Sequence, residues 1–469
     1  MAEVPHYDLA ILGSGPGGYV ASIRSAQLGM KTAIIEAENH FGGTCLHWGC
    51  IPTKSLLFNA EVLGYFQNGR EYGAPLRPLA LDWDAVQQRK NKIVRKLSQG
   101  IEFLLKKNKV DVIQGYGRLA GNGRIKISGP KAKHGLIESR NIVLATGSEA
   151  KQVPGLDPDK NSILTNKEIL GRERVPESLV VMGAGAVGVE FASIFRRLGT
   201  RVTLIEMLPR VLPNEDEEVS AEIERCLSKQ GIAIHTQAVV QSAAKAGRGA
   251  RIVFTSSSGE VHRCDAEALL VAIGRTPNTG DIGLENTRIK PDRGFIPVDE
   301  HMQTQEPGTS AIGDIVAESP LLAHVGEMEG IVAVTYAAGQ PAEPINYRQV
   351  PNCIYSEPEV ASVGLTQEQA LEEGYKIRIG KVPFSANSKA AILGARDGFV
   401  KIVSEEQYGE ILGVHMIGPR VTEMIAEAVV AMRLEATVED LAHAIHPHPT
   451  LTEALMEAAH AAHDRAIHA

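Results

Sequence analysis

Short apolar runs that end in glycine mark the first part of the chain. Tyr7–Leu12 is one such run, and Gly13–Gly18, reading GSGPGG, interrupts it. Tyr19, Ile23, Ala26 and Leu28 then recur at a spacing that puts them on one face of a helix. A second apolar run, Lys31–Ile35, closes at Glu36. The same order returns at Leu179–Met182, at Gly183–Gly188 (GAGAVG), in a helical pattern through Phe195, and at Val202–Ile205 closing at Glu206. Gly13 to Glu36 and Gly183 to Glu206 span the same number of residues. Strand, glycine turn, helix, strand and terminal acid make a dinucleotide fingerprint. The glycines let the backbone approach a pyrophosphate, the helix N-terminus supplies amide donors, and the acid accepts ribose hydroxyls. Two such sites in one polypeptide suit the passing of electrons between two bound cofactors.

Each copy carries a later strand that ends in a small-residue turn, Ile142–Ala145 before Thr146-Gly147 and Leu269–Ile273 before Gly274. Ala150–Pro158 and Thr276–Gly283, rich in Gly, Pro and Asn, read as crossings into and out of the second fold. Thr309–Asp314 reads as a strand-to-turn back in the first. The second fold, residues 151–276, is therefore expected as an insertion into the first, residues 1–150 and 277–348. Helical patterning over Ser55–Asn68 and Asp84–Asn108, with the turn-rich Gly69–Pro78 between, is assigned to the first fold. From about Pro351 the pattern changes. Strands are expected at Ala361–Gly364, Lys376–Pro383, Gly398–Val403 and Ile411–Met416, with helices at Thr366–Glu373 and Thr422–Leu434. Residues 349–469 read as a domain suited to association. The expected class is α/β, with two Rossmann-like dinucleotide-binding domains and a C-terminal α+β dimerisation domain.

Composition narrows the setting. A chain of 469 residues, 43% hydrophobic and 22% charged, is an ordinary multi-domain globular protein. A net charge of −8 and the lack of a basic run interleaved with aromatics argue against nucleic acid. The most apolar long segment, Leu179–Leu198, carries Glu190, Arg196 and Arg197 among its glycines, which argues against a membrane span. Met1–Pro5 shows no secretory pattern, so a cytoplasmic, reducing setting is expected, where a close cysteine pair points to redox or metal chemistry.

That pair lies in Gly42–Lys54, GGTCLHWGCIPTK. Structural zinc wants four ligands, and Cys226, Cys264 and Cys353 are isolated, so no metal site is expected. A disulfide has a geometric requirement. A regular helix would separate the Cα atoms of Cys45 and Cys50 by roughly 8–9 Å, whereas bridged cysteines sit below about 7 Å. If the two join, the helix must break between them, and Gly49 is the residue that permits it. Two buried unpaired thiols remain the bland reading. A second constellation, His446-Pro-His448-Pro-Thr-Leu-Thr-Glu453, has two readings as well. Thr450-x-x-Glu453 is a capping box for a helix over Ala454–Ala462, and an imidazole beside a carboxylate is the pairing of a proton-transfer site.

Taken together, these motifs resemble the flavoprotein disulfide reductases, and within that family the members acting on dihydrolipoyl groups. The match runs through GSGPGG with Glu36, GGTCLHWGCIPTK, Thr146-Gly147, GAGAVGVE with Glu206, AIGRTPN at Ala272–Asn278, AIGD ending at Asp314, and HPTLTE at His448–Glu453. The resemblance implies FAD in the first fold, near Gly13, Gly15, Gly18, Glu36, Thr44, Lys54, Gly117, Thr146, Gly147, Ser148, Asp314 and Ala323. It implies NAD in the second, near Gly183, Gly185, Gly188, Glu190, Glu206 and Gly274. By the same resemblance Cys45 exchanges with substrate, Cys50 faces the flavin, Lys54 and Glu190 pair near the reactive flavin nitrogen, and His448 is a base oriented by Glu453. The C-terminal domain would form a homodimer that lays HPTLTE of one subunit over the cysteine pair of the other.

The implied reaction is oxidation of a protein-bound dihydrolipoyl group with reduction of NAD+. The implied partner is a lipoyl-bearing acyltransferase component of a 2-oxo-acid dehydrogenase complex, or a glycine-cleavage lipoyl protein. A reductase of another small disulfide is the alternative. NAD is favoured because Gly188 holds the last glycine position and Glu206 accepts a ribose 2′-hydroxyl and repels a 2′-phosphate. Relatives that use NADP usually carry arginines there and a tyrosine at the position of Ala186; Arg210 is nearby but does not follow the strand end directly. His47-Trp48 stands where the family often has Asn-Val, and His446 lies outside the matched string and is read as a bystander.

Overall fold

The computed structural model describes residues 4–74, 81–130, 135–247 and 249–468. They gather into two compact units. The first comprises the described residues of Met1–Ser55, Asp84–Lys151 and Gly274–Ile345; the second comprises those of Leu56–Trp83, Gln152–Ile273 and Asn346–Ala469.

The first unit is built on β1 (His6–Leu12), α1 (Pro16–Gln27), β2 (Thr32–Glu36), α2 (Gly43–Trp48), the start of α3 (Cys50–Gln67), α4 (Trp83–Lys107), β3 (Asp111–Gln114), β4 (Tyr116–Gly121), β5 (Arg124–Ser128) and β6 (Leu136–Leu144). Its sheet runs β3-β2-β1-β6-β5-β4, and Thr309–Ala311 pairs with β6. The β1, β2 and β3 pairings and that of Thr309–Ala311 are parallel, whereas β4 and β5 add an antiparallel arm. Both faces of β1 are covered, which is why it reads as a nearly unbroken apolar run. Ala10 and Leu12 join one core cluster, and Leu9 and Ile11 the other. Leu46 belongs to the second cluster with Ile101 and Leu105, so the chain is tied to the core between Cys45 and Cys50.

The second unit repeats the parallel design. Ala233–His235, Arg201–Ile205, Ser178–Met182, Ala268–Val271 and Ile163–Leu164 lie side by side in that order. A three-stranded antiparallel sheet, Val239–Ala246 with Gly249–Thr255 and Val261–Ala266, stands beside it and was not expected from the sequence pattern. The C-terminal part is a five-stranded antiparallel sheet of Asn352–Ile354, Glu359–Gly364, Ile411–Gly418, Phe399–Glu405 and Ile377–Pro383. The helices Val421–Arg433, Val438–His443 and Glu453–Ala461 share its core cluster.

Several expectations shift at their edges. The helix expected at Ser55 begins at Cys50, and the helix expected at Ala454 begins at Glu453. Contacts place Leu56–Trp83 in the second unit, where Arg420 pairs with Glu61 and the Trp83 indole donates to the Arg172 carbonyl at 2.9 Å. The chain leaves the first unit after Lys151 and returns at Gly274. Ser148–Ala150 and Arg275–Pro277 pair as antiparallel strands at that crossing. Of the turn-rich Gly69–Pro78, residues 75–78 lie outside the described residues.

Candidate active site

The two glycine turns share one backbone geometry. Gly13 and Gly183 both have positive φ, and a Cβ on either would meet a backbone carbonyl oxygen, Ala145 at 2.3 Å or Ala272 at 2.5 Å. A Cβ on Gly18 would stand 2.0 Å from the Gly13 oxygen, and one on Gly188 1.9 Å from the Gly183 oxygen, so these close helix against strand. Gly15 and Gly185 differ from the others, because a Cβ there would meet nothing within 4 Å. They are the open face of each cradle, and each precedes a helix, Pro16–Gln27 or Ala186–Arg197, whose cap residue makes no side-chain hydrogen bond. Bare amides around an open glycine fit a pyrophosphate.

The strand-end acids are equally alike. Glu36 accepts from the Ser14 amide at 2.9 Å and the Glu38 amide at 2.8 Å. Glu206 accepts from the Ala184 amide at 2.6 Å and the Leu208 amide at 2.8 Å. Each carboxylate is thereby fixed at the edge of its glycine turn, where a ribose would lie.

The cysteine helix starts on the first cradle. Gly42 and Gly43 both have positive φ, the Gly42 amide donates to the Ser14 carbonyl at 3.0 Å, and a Cβ on Gly43 would come 2.8 Å from the Gly15 Cα. α2 ends at Trp48, Gly49 turns the chain, and α3 begins at Cys50. A Cβ on Gly49 would approach the Thr44 carbonyl oxygen to 3.0 Å and the Cys45 Cα to 3.3 Å, so glycine is what lets the two helices close up. The expected break is therefore present. Cys45 and Cys50 are both thiols here, and their side chains are hydrogen-bonded to each other. The bond to Cys50, burial and the negative charge of a Cys50 thiolate push the Cys45 thiol well up; Lys54 pulls it down, and Glu327 adds to the rise. Cys45 thus holds its proton more tightly than a free thiol.

His47 and Trp48 hold α2 in place. The His47 Nε2 lies 2.8 Å from the Phe41 carbonyl, its ring stacks on His40 at 3.7 Å between centroids, and Trp48 meets His40 edge-on at 5.4 Å. Burial lowers the His47 imidazole; the Phe41 carbonyl opposes this, and His40 adds to it.

Further residues assemble around Ser148. Its hydroxyl donates to Asp314, and Arg275 donates to the same hydroxyl at 2.6 Å and stands 3.4 Å from Asp314. The Thr146 hydroxyl donates to the Asn278 carbonyl at 2.7 Å, and the Asn278 amide donates to Gly147 at 2.8 Å. The fully buried Glu329 takes the Gly313 amide at 2.5 Å and the Ser319 hydroxyl at 3.1 Å, fixing the turn that carries Asp314. Sequence reasoning passed over Arg275, Asn278 and Glu329. The first two lay inside the quoted AIGRTPN string; Glu329 looked like one more helix acid. Tyr19 and Glu327 also face Cys45, and burial raises both. Thr44 donates to the Ser148 carbonyl at 3.4 Å, and Ala323 opens the helix Ala323–Ala337, whose cap residue Leu322 makes no side-chain bond. At Gly117 a Cβ would press on Ile35 and Leu12 at 3.2 Å, which makes its smallness a packing need. Gly274, at positive φ, has open space where a Cβ would be.

In the second unit Glu190 is buried and accepts from the Tyr355 amide at 3.0 Å. His448 Nδ1 lies 2.9 Å from a Glu453 oxygen, and the other carboxylate oxygen takes the Thr450 amide at 2.8 Å. With Nδ1–H donating to Glu453, the lone pair sits on Nε2 of a side chain that is 71% exposed. Only half of the expected capping box forms, because the Thr450 hydroxyl turns to the Pro447 carbonyl at 2.8 Å and Thr452 becomes the cap residue. His446 is different. Its side chain is 5% exposed and its nitrogens face the Ala444 carbonyl at 2.8 Å and Glu427 at 2.7 Å, so it has no free edge for a substrate.

Comparison with known proteins agrees with this architecture. The family model of pyridine nucleotide-disulphide oxidoreductases matches residues 7–330, and the dimerisation-domain model of the same family matches residues 350–459. A dihydrolipoyl dehydrogenase of Bacillus subtilis is 46% identical, covering 98% of this chain and 99% of its own. One of Zymomonas mobilis is 43% identical over 99% of both. The crystal structure of LpdA from Mycobacterium tuberculosis superposes with a TM-score of 0.89 at 28% identity, covering 97% of this chain and 99% of that one. With both family models matched in order and relatives matched over nearly their whole length, this chain belongs to the pyridine nucleotide-disulphide oxidoreductases.

Proposed function

We infer that this enzyme oxidises a dihydrolipoyl dithiol to the cyclic disulfide and reduces NAD+ to NADH. The observation that carries the reading is the Cys45–Cys50 pair, in mutual hydrogen-bond contact on top of the first glycine cradle, with Gly49 breaking the helix between them. The relatives named dihydrolipoyl dehydrogenase support the substrate. The open Gly15 cradle with Glu36, and the open Gly185 cradle with Glu206, fit FAD and NAD respectively. FAD, when bound, supplies the two-electron relay between the dithiol and NAD+.

The chain's own residues do the thiol chemistry. In the oxidised enzyme a substrate thiol gives its proton to Nε2 of the partner subunit's His448, and the thiolate attacks the Cys45 sulfur. The Cys45–Cys50 bond breaks and Cys50 leaves as thiolate, with Lys54 the nearby cation. The second substrate thiol then attacks the mixed disulfide, the lipoyl ring closes, and Cys45 leaves with a proton. The pair is then a dithiol, holding the two electrons taken from substrate. Glu453 keeps the His448 proton on Nδ1 so that Nε2 stays the base.

In this proposal residues 1–150 and 277–348 hold FAD, residues 151–276 hold NAD, and residues 349–469 form the homodimer interface. Gly13, Gly18, Thr146, Gly147, Ser148 and Asp314 shape the FAD site, and Gly183, Gly188 and Gly274 the NAD site. Thr44, Lys54, Gly117, Ala323 and Glu190 complete the assignments. The natural substrate is a lipoyl group on the acyltransferase of a 2-oxo-acid dehydrogenase complex, or on a glycine-cleavage lipoyl protein, in the cytoplasm. Among the described residues no helix is long and apolar enough to cross a membrane. Steady-state turnover of dihydrolipoamide with NAD+ tests the reading. Activity is expected in the native enzyme and none in Cys45→Ser or Cys50→Ser, and full activity in either variant overturns it.

A further inference from the structure

The loop after Glu206 is held to the nucleotide cradle at both ends. Leu208 donates its amide to one Glu206 oxygen at 2.8 Å, Ala184 donates to the other at 2.6 Å, and the Leu212 amide returns to the Ala184 carbonyl at 2.9 Å. Between those two anchors lies Arg210, the one cationic side chain from Glu206 to Asp216. A guanidinium so placed is the group best suited to grip a ribose 2′-phosphate with two parallel bonds. Its fork is already taken. Nη2 donates to one Glu368 oxygen at 3.0 Å and Nη1 to the other at 3.3 Å. Glu368 sits in the first turn of the helix Gln367–Glu372, capped by Thr366, so its position is set by the C-terminal sheet domain. Asp216 and Glu217 add to the negative field around the guanidinium.

We propose that Glu368 is a specificity-determining residue for the nucleotide: it holds Arg210 off the ribose edge, so that the 2′-position meets Glu206 without a compensating cation. This rests on reading the second fold as the NAD site. Exclusion of a 2′-phosphate then has two parts, repulsion by Glu206 and removal of the cation that could offset it.

Binding of ADP and 2′,5′-ADP to the full-length enzyme, measured calorimetrically at low ionic strength, tests this without relying on turnover. The wild type should bind ADP and reject 2′,5′-ADP. Glu368→Gln should leave ADP affinity unchanged and narrow the preference about tenfold, the scale of one charge-assisted contact. Glu368→Gln/Arg210→Gln should restore the wild-type preference, and Arg210→Gln alone should not move it. The ratio of kcat/KM for NADPH and NADH should follow the same order. An unmoved ratio in Glu368→Gln, a gain that persists in the double variant, or a shift in Arg210→Gln alone would each overturn the proposal. Absence of any ADP binding by the wild type would overturn both it and the NAD reading, and is recognisable because no variant would then show a signal.

Discussion

Glu453 divides its carboxylate between His448 and Thr450, accepting the imidazole Nδ1–H at 2.9 Å on one oxygen and the backbone amide at 2.8 Å on the other. Burial pushes this carboxyl up, but the Thr450 amide and His448 outweigh it, so it stays below the usual carboxylate range and ionised at neutral pH. His448→Gln should lower dihydrolipoamide turnover about 10²–10⁴-fold. Glu453→Gln should retain the Thr450 contact and still lose rate, because an amide does not stabilise the imidazolium. Rate against pH checks both; an unchanged profile in Glu453→Gln would reduce the residue to a helix-start role.

Cys45 and Cys50 should differ in alkylation. Because Cys50 is the largest cause of the raised Cys45 thiol, Cys50→Ser should make Cys45 react with iodoacetamide at lower pH than in the reduced wild type. Mass spectrometry of the Cys45 peptide across pH 6–10, roughly the thiol range, reads the shift. A shift to higher pH would contradict Cys50 as the cause of the raised Cys45 thiol.

The glycines should separate by role. Gly185→Val puts bulk where no atom stands within 4 Å, so melting temperature should hold while NADH affinity falls by about tenfold or more. Gly188→Ala places a Cβ 1.9 Å from a backbone oxygen and should destabilise the fold itself. Gly15→Val should act on FAD retention as Gly185→Val acts on NADH. Thermal melting beside nucleotide titration tells the two classes apart.

Asp216 and Lys401 form a buried pair at 3.0 Å, with Glu218 2.7 Å from the same ammonium. Lys401→Met would leave the Asp216 carboxylate unpaired in the interior and should cost about 3–5 kcal/mol, seen as a lower denaturant midpoint. Burial raises the Asp216 carboxyl, and His415, the Lys401 contact and the Gln367 amide together bring it below its ordinary value. A depressed carboxyl stabilises the fold above the unfolded value of about 4, and that contribution is lost as pH falls through the lower folded value. Asp216→Asn should therefore melt lower than wild type at pH 7, with the gap closing below about pH 4.

Much of this protein follows from local pattern. The glycine turns, their strand-end acids and the cysteine pair are short-range devices. Their spacing is tied to backbone geometry, so residues such as Gly13, Glu36, Gly183 and Glu206 reveal the two nucleotide folds without any tertiary information. The need for a break at Gly49 is of the same kind, because regular helix cannot bring residues five apart into sulfur contact. The antiparallel sheet Val239–Ala266 was not legible. Its two outer strands alternate half-buried and exposed positions with few strong apolar residues, which leaves only the central strand with a period to detect.

What only the tertiary structure decided concerns groups whose partners are remote in sequence. Glu329 becomes the support of the Asp314 turn by reaching Gly313, and Arg275 and Ser148 meet because two crossing strands pair. His446, read from the sequence as a bystander, is occupied by burial against Glu427, whereas His448 is exposed beside Glu453. Arg210 reads as a cation near the ribose until Glu368, from the C-terminal domain, takes its guanidinium. Sequence alone determined which chemistry is present, because motifs set backbone shape within a few residues. Folding decided which charges and imidazoles are available for it, because that depends on what long-range packing brings against them.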